Sequence, residues 1–75
     1  MKTYKDYSQE YEAATQGATA GELVVRRDIW IYCKWTADRG INSPAEAHTA
    51  ILQEEAELQQ HLLNGERLFI GAMRK

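Results

Sequence analysis

The chain is expected to be all-α: a small helical bundle built on an antiparallel hairpin of two long helices, with a short N-terminal helix and a short C-terminal segment packed on it. Three observations predict this. Thr19-Ala20-Gly21-Glu22 and Ser43-Pro44-Ala45-Glu46 both have the S/T-x-x-E form of a capping box. In it the hydroxyl accepts from the backbone N–H three residues on, and the glutamate reaches back to the cap's own N–H. Each box opens a long stretch that closes near a glycine, Gly40 in one case and Asn64-Gly65 in the other. Between those limits the apolar residues recur at helical spacing.

The first element is expected over residues 4–15, with Thr3 as N-cap and Gly17 as stop. Tyr4, Tyr7, Tyr11 and Ala14 follow one another at 3-4-3 spacing and so share a face. That stripe covers either the edge of the core, with rings buried and hydroxyls wet, or a partner surface, where tyrosine is enriched.

The second element is expected over residues 20–39 and is the most apolar. Val25, Ile29, Tyr32, Cys33 and Thr36 share one face, while Val24, Ile31 and Trp35 form a second stripe interrupted by Asp28. Trp30 lies apart, near Arg26, Arg27 and Lys34. Ile29, Ile31, Cys33 and Trp35 also alternate as a strand would, but the capping box, the length and the glycine stop favour a helix.

The third element is expected to run unbroken over residues 44–64. Proline at its first position has no N–H to waste and a φ already suited to a helix. Ala47, Ala50, Ile51, Leu58 and Leu62 form the main stripe, with Leu52, Ala56 and Leu63 on nearly the opposite side. Two stripes imply two contacts: one to the second helix, the other to the rest of the chain, a second copy or a foreign partner. Asn64-Gly65 is a natural chain reversal. The apolar tail Arg67-Leu68-Phe69-Ile70-Gly71-Ala72-Met73 then packs back as a short helix or an extended arm.

A chain of 75 residues is one domain, 1–75, near the lower size at which a single core sustains itself. Its one cysteine, Cys33, rules out an internal disulfide framework and suits a reducing cytosol. The beginning of the chain has no apolar run of a secretory signal, and the longest apolar stretch, residues 29–33, is far too short to span a bilayer. A cytoplasmic protein with no membrane contact is expected.

Charge narrows the function. The net charge is −2, yet residues 41–65 hold Glu46, Glu54, Glu55 and Glu57 with no lysine or arginine. The third helix is therefore anionic throughout. Helices joined by Gly40-Ile41-Asn42-Ser43 superficially resemble a helix-turn-helix, but the second of them would carry its glutamates into the phosphates. The only route to nucleic acid is a cationic patch of Arg26, Arg27, Lys34 and Arg39 on the second helix, with Arg74 and Lys75.

Enzymatic chemistry finds no foothold in the sequence. It has neither a Gly-rich phosphate loop nor an H-E-x-x-H pair, and Ser43 is engaged as a cap. Cys33, inside an apolar run, reads as a small buried hydrophobe. His48 and His61 lie thirteen residues apart and face away from each other, and Glu57 with His61 offers only two ligands. No enzyme activity, cofactor or metal is expected. The expected function is non-enzymatic protein–protein interaction, with the chain acting stoichiometrically as adaptor, regulator or inhibitor. Phages and mobile elements encode many accessory proteins of this size that block host machinery. The candidate contacts are Trp30, Leu52 and Leu63 as apolar anchors, with Glu54, Glu55 and Glu57 as an acidic rim. The alternative is a nucleic-acid-binding regulator working through Arg26, Arg27, Lys34 and Arg39.

Overall fold

The computed structural model describes residues 2–16 and 26–73, which form four helices: α1 (Tyr4–Thr15), α2 (Arg27–Arg39), α3 (Pro44–Ile51) and α4 (Ala56–Met73). The described residues contain no strand, and the all-α bundle stands. No helix among them is long and apolar enough to cross a membrane.

Helix α1 begins as the sequence dictates. Thr3 accepts from the Asp6 N–H at 3.3 Å and its own N–H donates to the Asp6 carboxylate at 2.9 Å, a complete capping box. Tyr7 is buried, and Tyr4 packs on the core beside it. Tyr11 meets Trp30 edge-on at 5.6 Å between ring centroids. The tyrosine stripe thus packs on the neighbouring helices through its rings, while Ala14 at its end is exposed. Tyr7 donates to Asp38 near the end of α2, while Ser8 and Glu12 meet Arg27 at its start. The two helices are therefore antiparallel.

Helix α2 is shorter than expected. Arg26 is extended, with φ −60° and ψ 145°, so the helix starts at Arg27, well after position 20. The Thr19 capping box and the Gly17 stop lie outside the described residues. At its other end Gly40 takes φ 68°, a left-handed conformation that favours glycine, and closes the helix as the sequence implied. The buried face is Ile31, Tyr32 and Trp35, rotated from the stripe expected through Cys33 and Thr36. Cys33 is consequently exposed rather than buried.

The third expected helix is not one rod. It begins on the Ser43 cap with Pro44 in place, but ends at Ile51. The chain turns through residues 52–55 and restarts at Ala56. None of Leu52, Gln53, Glu54 or Glu55 is a helix breaker. Tertiary contacts impose the turn: Ile51 and Leu58, on either side, are both fully buried. The Glu54 carboxylate is held from α2 by Trp35 Nε1 at 3.2 Å and by Arg39 Nη2 at 2.9 Å.

Asn64-Gly65, expected to reverse the chain, instead lies inside α4, which continues to Met73. Gly65 is buried against α2, where a Cβ would collide with the carbonyl of Asp28 and come within 2.9 Å of Tyr32 Cβ. Here glycine permits the close passage of two helices, not a turn. The main packing is α2 on α4, with α1 against α2 and α3 against α4. Ala47, Ile51, Leu58 and Leu62, four of the five residues of the predicted main stripe, are fully buried.

Candidate functional site

The described surface has one distinctive apolar projection. Leu52 is the large hydrophobic residue left exposed among the described residues, with half its surface open. It sits on the α3–α4 turn because Ile51, one position earlier, takes the core-facing direction. Gln53, Glu55, Ala56 and Glu57 around it are all exposed.

Beside the turn lies a shallow groove of about 620 Å³ between the end of α2 and the outer face of α3. Gly40, Ile41, Ala45, Thr49, Ala50 and Gln53 contribute its floor and walls, with Arg39 and Glu46 at its edges. Small residues on α3 make the concavity: Ala45 and Ala50 leave room that larger side chains would fill. The Arg39 guanidinium is paired within the chain: both Glu54 oxygens accept from its Nη2 at 2.9 and 3.1 Å and it lies over the Trp35 ring, 5.0 Å from the centroid. The open charges around turn and groove are then Glu46, Glu55 and Glu57. Chemically, the region suits an apolar side chain presented by a partner with basic flanks.

The structure separates the sequence-derived candidates. Leu52 and Glu55 on the turn and Glu57 at the start of α4 are all exposed. Glu54 does not join them: its side chain is 8% exposed and tied to α2. Trp30 and Leu63 are partly buried against the core, so neither is a free anchor. The break at 52–55 also dissolves the second stripe, since Leu52 and Leu63 no longer share one straight helix face.

The cationic patch is largely committed within the chain. Arg27 contacts Glu12 at 3.5 Å and Ser8 at 3.1 Å, Lys34 contacts Asp38 at 3.8 Å, and Arg39 is held by Glu54. Arg26 is exposed.

Sequence reasoning missed a polar centre on the buried side. Asp28 was read as an interruption of a stripe, yet its two oxygens meet His61 Nδ1 at 2.9 Å and Asn64 Nδ2. An ionised carboxylate only accepts, so the His61 contact requires a proton on Nδ1. Tyr4 stacks flat on the same imidazole at 4.0 Å, which joins α1, α2 and α4 in one cluster. His48 and Glu66 form a second pair at 3.0 Å, in which Glu66 Oε2 is buried with no protein partner. A signal existed in the sequence for Asp28: an acidic residue on the most apolar helix needs a donor, and His61 and Asn64 lie three apart on one helix.

Cys33 borders a small cavity of about 200 Å³ that Tyr32, Pro44 and Phe69 also line. Although the residue is exposed, partial desolvation on the side facing this cavity raises its thiol above the usual range, the opposite of activation. Among the described residues no group of three or more His, Cys, Asp or Glu is placed to hold a metal. Comparison with protein-family models, curated proteins and solved structures finds no match, so the turn and its groove are interpreted from their own chemistry.

Proposed function

We propose that the protein works by stoichiometric binding to another protein, as a small non-enzymatic adaptor, regulator or inhibitor, and that it docks through the α3–α4 turn. The observation that carries this is Leu52, exposed on the turn next to Gln53 of an apolar groove, with the exposed Glu55 and Glu57 following it in the chain and Glu46 on the groove's edge. Half-exposed leucines are ordinary singly; one set next to a concavity with carboxylates near it that are unpaired among the described residues, and its one cation already paired, has the anatomy of an interface centre. The fitting partner presents an apolar side chain flanked by lysine or arginine. The nucleic-acid alternative is weakened by the ion pairs that occupy Arg27, Lys34 and Arg39.

The test is a tagged pull-down from source-cell lysate, with and without nuclease, using the wild type and Leu52→Glu. A protein captured near stoichiometrically in both nuclease arms and lost from Leu52→Glu is the expected result. Recovery of nucleic acid, or of partners that disappear with nuclease and with Arg26→Ala/Arg27→Ala, would overturn it in favour of the alternative. Leu52 is half exposed and outside the buried core, so the variant should stay folded.

A further inference from the structure

We infer that this chain can exchange α4 with a second copy of itself, by straightening the turn at residues 52–55 into a continuous helix. This inference is independent of the docking surface proposed above.

The turn carries none of the usual signals for one. Leu, Gln, Glu and Glu are all good helix formers, and no glycine or proline lies between Pro44 and Gly65. Its backbone has scarcely left the helix. Leu52 N–H still donates to the His48 carbonyl at 3.3 Å, and Gln53 and Glu54 donate three residues back, to Ala50 at 3.1 Å and Ile51 at 3.0 Å. This is a tightened last turn, not a loop. Helix α4 then restarts with Gln59 N–H on the Glu55 carbonyl at 2.8 Å. The N–H groups at the start of α4 have no acceptor within that helix, and a straight segment would give them one.

The apolar face also ignores the break. At about 100° per residue, Ala47, Ile51, Leu58, Leu62, Gly65 and Phe69 fall within an arc of about 60° on one continuous helix. The sequence is therefore in register for a single amphipathic helix over residues 44–73, about 45 Å long. In that form α4 leaves its own α2. The same stripe is buried again only when α4 lies on the α2 of a second copy, which gives up its own α4 in return. Every contact of α4 is then remade between chains, including Gly65 on Asp28, His61 and Asn64 on the Asp28 carboxylate, and Phe69 on Tyr32. Exchange of an identical element costs little because only the hinge differs.

What opposes it in one chain is Glu54. Its bonds to Trp35 and Arg39 are the side-chain polar tie from residues 52–55 to another helix. Release of that tie, together with high protein concentration, favours the exchanged dimer.

The experiment is light scattering on size-exclusion fractions of the full chain across a concentration series, with far-ultraviolet circular dichroism on each species. Glu54→Ala should dimerise about a hundredfold more tightly than wild type, roughly tenfold for each of the two ties a dimer gives up. Its helix content should equal or exceed that of the monomer. Adding Ala56→Pro should restore the monomer. Ala56 is exposed and opens α4, a position that suits proline, whereas the same proline inside a continuous helix would break it. A folded Glu54→Ala that stays monomeric, or a double variant that dimerises equally well, overturns the inference. Glu54→Gln, which can keep an oxygen for Trp35, serves if Glu54→Ala unfolds: an intermediate shift supports exchange and no shift rejects it.

Discussion

The two ends of α2 are held by different physics. At its start, three residues of α4 converge on Asp28: His61 and Asn64 on the carboxylate, and Gly65 pressed on its backbone carbonyl. At its end, Trp35 and Arg39 reach Glu54 in the turn, and Asp38 accepts from Tyr7 of α1. The first end is a backbone-to-backbone approach with no slack. The second is a set of side-chain ties that can be unmade without moving a helix. Charge placement suits both, with Asp28 in the first turn and Arg39 in the last, each complementing the helix dipole. The contrast implies that the first end fixes how α4 meets α2, while the second fixes only whether the chain turns back to make that meeting within itself.

The strongest way to break the first end is Gly65→Ala. The added methyl would collide with backbone, which cannot swing aside as a side chain would, so α2 and α4 must separate. The expected loss is about 3 kcal/mol, the upper part of the overpacking range, read as a fall in the urea midpoint. Gly71→Ala is the internal control. A Cβ there meets nothing within 4 Å, and in the same helix it should stabilise by about 0.5–1 kcal/mol. If the two substitutions had the same sign, the close approach would not be what holds α4.

Asp28→Ala sharpens the same end by leaving the helices in place and removing only the acceptor. His61 Nδ1 and the Asn64 amide then lose their partner in a part-buried position, for an expected loss of about 2 kcal/mol. Because separating α2 from α4 in Gly65→Ala also pulls His61 and Asn64 from the Asp28 carboxylate, combining Gly65→Ala with Asp28→Ala should cost less than the sum of the two. A strictly additive pair would show that the carboxylate contacts do not depend on the helix approach. Chemical denaturation of the four variants in the cycle decides it.

The helix boundaries near the second end were legible from sequence; the Glu54 tie there, and most of the first end, were not. Gly40 closing α2, Ser43-Pro44 opening α3 and the tyrosine spacing of α1 are local signals, set by capping and periodicity within a few residues. The buried stripe of Ala47, Ile51, Leu58 and Leu62 was legible for the same reason. Gly65 was not, because Asn-Gly has the same appearance whether it turns a chain or admits a neighbouring helix. Only the position of Asp28, far away in sequence, decides between them. The break at 52–55 was invisible because residues that favour helix are bent by contacts to Trp35 and Arg39. Of the candidate site, Leu52 and its acidic neighbours could be placed. Glu54, expected on the rim, is instead tied to Trp35 and Arg39, partners on another helix that local sequence does not reveal.

The smallest effect belongs to the second end and is read with pH. Burial, and then the Asp38 carboxylate beside it, push the Tyr7 phenol up from 10.0 to about 12. Above pH 10 the unfolded chain ionises this tyrosine while the folded one resists, so the unfolded state binds fewer protons and stability falls as pH rises from 10 to 12. With a shift of that size, the Tyr7 contribution to the fall between pH 10 and pH 11 is about 1 kcal/mol. Tyr32, also raised by burial, and Lys2, raised by its Glu10 and Asp38 partners, act in the same direction and remain in any Tyr7 variant. The measurement is therefore a difference: urea midpoints at pH 8, 10 and 11 for wild type and Tyr7→Phe. The variant should be less stable at pH 8, where it lacks the bond to Asp38, and the gap should close as pH rises. A gap that stays constant would mean Tyr7 ionises freely in the folded protein, and that the α1 tie at this end of α2 is as loose as a surface contact.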